Sequence, residues 1–382
     1  MRILQFIYEL APGGAERFVV DLCNSHANLG HEVILCVLRD DSIGNNGFYK
    51  KEISKSVQYM NLKIPEGLRF SNIHILYKVI KQIKPDVVHC HLNLINYIFP
   101  LTFLFSKTKF FHTIHNDAPK EISNKAEYFI RRFFYSKSIV NAITISKDTS
   151  TSFSEFYKTD RYEEIFNGRS IPQPTKELKT VKKEIQRPNR TAFIHVGRFN
   201  KQKNQYLLIS VFNKLTQNGY PVDLYIIGPG FDSPKAQKLK DTAGSNIYFL
   251  GPKHNIADYY YAADAFCLSS IHEGMPITLI EAFACGCPAV CTPAGGIKEM
   301  IITGVNGYVS DTISEEAYYE SLSRFLESKN KIDRQALINL FSSNYHINVC
   351  AKNYLNAYKK NGKTGYNPHK NSSAGINYRA TV

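Results

Sequence analysis

Short apolar runs alternate with amphipathic helical stretches through residues 2–146, and after a polar interruption the alternation begins afresh. In the first round "RILQFIY" (2–8), "HEVILCVL" (31–38), "DVVHCH" (86–91), "KFFHTIH" (109–115) and "NAITIS" (141–146) read as strands. Residues 13–30, 72–84 and 125–137 repeat their apolar positions at helical spacing, and a hydrophobic helix is expected from the run at 94–105. The second round places strands at 191–197, 222–228, 247–251, 265–270 and 288–292, with a helix at 204–219. Strands separated by helices lie parallel in one sheet, because a parallel crossover needs a helix's length of chain to return. The expected fold class is α/β: two Rossmann-like, doubly wound domains, at 1–171 and 191–345, facing across a cleft. The Pro- and charge-rich stretch 172–190 reads as a linker, a helix at 346–361 is expected to complete the first domain, and the tail 362–382 is expected to be disordered. In sheets of this kind ligands bind at the carboxyl ends of the strands.

Charge and cysteine usage narrow the function classes. The 382-residue chain carries 47 Lys and Arg against 33 Asp and Glu, a formal net charge of +14. Nucleic acid, an anionic membrane surface or phosphorylated substrates would suit it, and no nucleic-acid recognition motif is present. Basic residues gather at "FIRRFFYSK" (129–137) and "KELKTVKKEIQR" (176–187). The longest apolar run, 94–105, contains Asn96 and Pro100 and is too short to span a bilayer. Met1-Arg2 leads into a strand with no small-residue cleavage site, so no secretory leader is read and a cytoplasmic location is expected. The eight cysteines follow no disulfide spacing, and "CGCPAVC" (285–291) has no nearby histidine to complete a zinc site. No metal is expected, and Asp40-Asp41 reads as part of a solvated loop.

The chemistry is concentrated where strands end. In "SSIHEGMPITLIEAFACG" (269–286) Glu273 and Gly274 precede a helix, Pro276 suits its first turn and Gly286 its end. The free N–H groups of that helix start can hold an anion or hydroxyls. Glu281 lies about five residues into the helix among Leu279, Ile280, Ala282, Phe283 and Ala284, where a charge is costly without a partner; a ribose would supply one. Either glutamate taken alone also suits a capping or solvated role. In "HVGRFNKQKN" (195–204) Arg198 and Lys203 follow a strand, and two such cations suit a diphosphate, Arg as a fork and Lys as a point charge. In "ELAPGGAERFVVDL" (9–22) Gly13 and Gly14 would let backbone N–H groups approach a ligand, although the spacing is neither a dinucleotide fingerprint nor a Walker loop. His115 ends one strand, whereas His112 lies within it and reads as core. Asn167-Gly168 forms a turn, and Lys253 and His254 occupy a further loop.

Taken together, "GGAER", "HTIH", "FNG", "GRFNKQKN", "IIGPG", "SSIHEGMPITLIEAFACGCPAV" and "AGGIKEMI" make the chain resemble the family-four glycosyltransferases of the GT-B fold, the glycosyl transferases group 1. The resemblance implies that Glu273 meets the hydroxyls of the transferred sugar, Glu281 the ribose, and Arg198 and Lys203 the donor diphosphate. It implies that Gly13 and Gly14 approach the phosphates and that His115 lies beside the sugar. Asn167, Gly228, His254, Gly274, Met275, Pro276 and Ile277 complete the implied donor site. Catalytic roles fall on Glu273, His115, Arg198 and Lys203, with no metal or other cofactor. The implied reaction is retaining transfer from a nucleotide diphosphate sugar, a UDP-sugar before a GDP-sugar. The implied acceptor is a glycan or lipid-linked glycan in cell-surface polysaccharide or lipopolysaccharide synthesis, reached from the inner membrane face. Two other readings are a nucleotide-sugar 2-epimerase of the same fold and a non-catalytic nucleotide-sugar-binding subunit. Cys285 and Cys291 stand where the family often has Ala or Ser, and loops 40–70 and 116–125 carry no motif that names an acceptor.

Overall fold

A computed structural model describes residues 1–65, 67 and 69–360, so the tail expected to be disordered lies outside the described residues. The chain forms two compact units, Met1–Gly168 together with the segment from Asn344, and Arg169–Ser343.

The first unit is built on one parallel sheet of seven strands: β1 (Arg2–Ile7), β2 (Glu32–Val37), β3 (Val57–Asn61), β4 (Val87–His91), β5 (Lys109–Ile114), β6 (Asn141–Thr144) and β7 (Tyr162–Glu164). Their order is β3-β2-β1-β4-β5-β6-β7, so the chain winds outward from β1 and then restarts on its other side at β4. The switch point lies between β1 and β4. Because helices cover both faces, strands such as β4 are buried along their whole length. Phe6, Ile34, Leu76, Val88, Ile98 and Phe134 share one core. The run at 94–105 is not the continuous helix expected: it folds as short turns at Leu92–Leu94, Ile95–Ile98 and Phe99–Leu101. Pro100 has no N–H for the next helical bond. The C-terminal helix Ile347–Lys359 belongs to this unit. Ser25 Oγ donates to Asn348 Oδ1 at 2.9 Å, and Lys109 Nζ closes the helix end on the carbonyls of Tyr358 and Lys360 at 2.9 and 3.1 Å.

The second unit repeats the winding with β8 (Thr191–Val196), β9 (Val222–Ile227), β10 (Ile247–Gly251), β11 (Ala265–Leu268), β12 (Ala289–Cys291) and β13 (Gly307–Val309), in the order β10-β9-β8-β11-β12-β13. Its switch point lies between β8 and β11. Phe193, Leu208, Phe212, Leu224, Ile226 and Phe325 form its core. The stretch 172–190 is not the bare linker expected, because it contains the helix Leu178–Ile185. Val181 and Ile185, one turn apart, are buried, and the lysines between them stay outside. Gln186 Nε2 donates to Ala262 O at 2.7 Å, and Asp258 accepts from the N–H and hydroxyl of Thr175 at 2.7 and 2.5 Å. All eight cysteines are buried free thiols. Among the described residues no helix is long and apolar enough to cross a membrane.

Candidate functional site

In the second unit the chain leaves β11 at Leu268 and crosses a short loop into the helix Ile277–Ala284. Pro276 sits one residue earlier than expected, as the extended residue before the helix, a junction its fixed φ also suits. At the other end Gly286 and Cys287 donate to the carbonyls of Phe283 and Ala282 at 3.0 and 2.8 Å, satisfying the last turn. In the loop, Glu273 Oε1 accepts from Lys203 Nζ and from Ser270 Oγ, each at 2.6 Å. The two charged side chains are 16% and 8% exposed, so water and salt screen this pair far less than a surface ion pair. A second loop fixes Glu273 from outside. Gly295 has φ +53°, and a Cβ there would stand 1.7 Å from the Glu273 carbonyl oxygen. Gly296 N–H donates to Gly274 O at 3.0 Å. Met275, Pro276 and Ile277 are buried, so their side chains belong to the core and a ligand would meet their backbone, which at Pro276 has no N–H.

Glu281 has a protein partner that the sequence reading missed. Arg169 Nε donates to Glu281 Oε1 at 2.8 Å, with side-chain exposures of 7% and 15%. The charge among apolar neighbours is therefore compensated within the chain, and a ribose is not its sole source of compensation. The loop after β8 carries the cations. Lys203 closes a short turn whose Asn200 side chain accepts its N–H at 2.9 Å. Arg198 is exposed, and its carbonyl accepts from Gln205 Nε2 at 2.9 Å. Beneath the loop His195 is fully buried, its Nδ1 donating to Cys267 O at 3.0 Å, and burial holds its pKa down at about 4. Gly228, expected at the donor, has φ +147°, and a Cβ there would stand 2.1 Å from Gly197 O. Its observed role is to let the loops after β8 and β9 meet backbone to backbone. His254 is exposed in the loop after β10.

In the first unit His115 follows β5 and is buried, which holds its pKa down at about 3 and keeps the ring neutral. Its tautomer follows from Gln5. Gln5 Oε1 accepts from His91 Nε2 at 2.9 Å, so the neutral His91 ring accepts at Nδ1, and His115 Nε2 donates to it at 3.0 Å. His115 Nδ1 is left as an acceptor, suited to a hydroxyl. Gln5 Nε2 continues the chain to the Tyr358 hydroxyl at 3.2 Å, which lies 2.6 Å from His89 Nδ1. Glu121 Oε1 accepts the N–H groups of His115 and Asn116 at 2.9 and 3.2 Å. His112 is core, bonded to the Tyr135 hydroxyl and to Leu92 O, each at 2.8 Å. Gly13 and Gly14 open the helix Gly14–Asn28, and a Cβ on Gly13 would stand 2.1 Å from Glu16 Oε2. A carboxylate thus already lies against the positive end of that helix. Asn167 is buried. Among the described residues no three His, Cys, Asp or Glu gather to hold a metal ion.

Both units match a known family. The model for Glycosyltransferase Family 4 covers residues 12–170, and that for Glycosyl transferases group 1 covers 177–339. The chain belongs to the family-4 glycosyltransferases. Its two Rossmann-like units are those of the GT-B fold. Anabaena HepE, solved with UDP and glucose, shares that fold at a TM-score of 0.76 and 18% identity, over 94% of this chain and 99% of its own. The 4-alpha-N-acetylgalactosaminyltransferase of Campylobacter jejuni named for N-acetylgalactosamine-N,N'-diacetylbacillosaminyl-diphospho-undecaprenol is 25% identical over 84% of this chain and 89% of its own. An uncharacterized glycosyltransferase of Methanocaldococcus jannaschii is 27% identical over 265 residues, and the match spans 64% of its length. In this glycosyltransferase the structure brings Lys203, Ser270 and Glu273 together beside a helix start and sets Glu281 on Arg169. The sequence names neither Ser270 nor Arg169 as a partner, although Ser270 lies within "SSIHEGMPITLIEAFACG" and Arg169 directly follows "FNG".

Proposed function

We propose that the chain is a retaining glycosyltransferase that moves a sugar from a nucleotide diphosphate sugar, a UDP-sugar first, to a hydroxyl of a glycan or lipid-linked glycan. The observation that carries this reading is the Lys203–Glu273 pair at the ends of β8 and β11, beside the start of the helix Ile277–Ala284. A cation and a carboxylate one hydrogen bond apart support phosphate binding beside sugar hydroxyls. As the anomeric C–O bond breaks, its electron pair passes to the diphosphate, where Arg198, Lys203 and the helix N–H groups stabilise the developing charge. The acceptor oxygen bonds to the anomeric carbon on the same face, and its proton passes to a leaving phosphate oxygen. Glu273 orients the sugar, His115 Nδ1 accepts one of its hydroxyls, and Glu281 meets the ribose. The glycosidase alternative, two carboxylates flanking the scissile bond, is disfavoured because Glu281 lies in the second turn of its helix with Oε1 held by Arg169. Positive side chains supply the role a metal would otherwise fill. The undecaprenol-linked acceptor named for the Campylobacter jejuni relative supports a lipid-linked acceptor here. On this reading the enzyme works at the inner face of the cytoplasmic membrane.

Nucleotide release from a panel of donors, with and without acceptor, separates transfer from donor epimerisation and from simple binding. Lys203→Ala should lower kcat by about 10²-fold or more while the circular dichroism spectrum is kept. Near-normal turnover by that variant would refute the assignment.

A further inference from the structure

The helix Lys125–Ser136 buries an arginine beside Phe134 and Tyr135 and leaves other apolar side chains outside. Arg131 is fully buried, 2.6 Å from Glu127 Oε1, 3.1 Å from Asn93 Oδ1 and 3.6 Å from Glu121 Oε2. Phe129, Ile130 and Phe133 are instead 63%, 47% and 49% exposed. An amphipathic helix packed by hydrophobicity alone would bury the aromatics and solvate the arginine. Here two carboxylates and an amide meet the guanidinium, which makes its burial tolerable and sets the rotation of the helix. Phe134 and Tyr135 share the inward face with Arg131, and Phe129, Ile130 and Phe133 are left outside. This outer apolar face continues onto the neighbouring turn, where Phe103 lies 5.6 Å from the Phe134 ring, itself 5.5 Å from Phe133. Phe103 and Leu104 are 64% and 63% exposed. Of the twelve large apolar side chains exposed among the described residues, five thus fall on adjoining segments. Such a concentration marks an interaction surface, whereas scattered single residues would not.

The rim of this patch is basic. Lys107, Lys125 and Lys137 are exposed and Arg132 is half-buried. No acidic residue occurs in 99–110 or 128–140, and Glu127, the acid of the helix, is turned to Arg131. We propose that this patch inserts into an anionic lipid bilayer, its aromatics at the acyl boundary and its lysines on headgroup phosphates. The purpose of such docking rests on the transfer reading above, since a lipid-diphosphate acceptor lies at that surface. A second copy of the chain fits less well, because a two-fold contact would set the basic rim against itself in a chain of net charge +14. The same ion cluster reaches the chemistry: Glu121, beside Arg131, holds the backbone of His115 and Asn116. The helix behind the patch and the backbone of His115 thus meet at Glu121, which pairs with Arg131 by charge and holds His115 by hydrogen bond.

Co-sedimentation of the full chain with phosphatidylcholine vesicles, with and without phosphatidylglycerol, tests the proposal. The wild type should bind the anionic vesicles and lose binding as salt rises. The exposed-face variant Phe129→Ser/Ile130→Ser/Phe133→Ser should bind at least about tenfold more weakly, with donor turnover on a water-soluble acceptor unchanged. Equal binding by the variant, or no binding by the wild type, would overturn the patch. So would a wild-type dimer that the variant dissolves in sedimentation equilibrium. An enzyme that turns over donors yet ignores vesicles sinks the patch alone, and a chain that binds vesicles yet turns over no donor sinks the transfer reading.

Discussion

Gln5 stands in the middle of a buried apolar strand, where an amide is costly unless both of its ends are met. Its oxygen meets His91 and its nitrogen meets Tyr358, and through His91 it decides which nitrogen of His115 is left to accept. Gln5 is therefore a positioning residue. Gln5→Leu should lower kcat on the order of tenfold with donor KM unchanged, the pattern of an interaction made in the transition state. It should also shift the His115 ring to a mixture of tautomers, visible in its ¹⁵N spectrum, and a fixed tautomer would contradict the relay. At this scale the sequence was legible in placement, since Lys203, Glu273 and His115 stand in the segments that follow strands, as expected. It was not legible where a group's partner lies far along the chain. Arg169 and Glu281 are 112 residues apart, and Gln5 and Tyr358 are 353 apart, so no local pattern announces either pair.

The loops that carry the site are held by other loops, and Gly295 is the tightest of these contacts. Gly295→Ala puts a methyl group on the Glu273 carbonyl in a backbone conformation that L side chains rarely adopt. It should destabilise the second unit by about 2 kcal/mol or more in urea melts and weaken donor binding in the same variant. An unchanged midpoint would show that the 273–274 loop can yield. Elements with a nearly continuous apolar or helical pattern were readable in advance, among them β1, β2, β4, β8 and the helix after β11. The edges were not. β7 and β13 have three residues each, too few for a strand period, and β3, as long as β4, is only partly buried and too mixed in pattern. The helix Leu178–Ile185 was hidden for a related reason, because two buried residues among lysines look like solvated chain.

Among the described residues of the whole molecule, buried histidines are unevenly shared. His26, His89, His91, His112 and His115 lie in the first unit and His195 in the second, each with its pKa held below the ordinary 6.5 chiefly by burial. Below 6.5 the unfolded chain takes up protons that the folded chain refuses, so stability is full above that pH and falls as pH drops toward the folded values. For His26, held at about 4, the full loss is on the order of 3 kcal/mol. The first unit should thus melt earlier than the second as pH falls from 7 to 5, splitting the calorimetric transition; equal shifts of both halves would argue against neutral buried rings. The return of the segment from Asn344 to the first unit also bears on how the protein is made. β1 leaves the ribosome before any of the second unit, but Gln5 and His89 must wait for Tyr358 to complete their hydrogen bonds. The second unit has its last strand by Val309. The half whose synthesis starts first is the half that closes last.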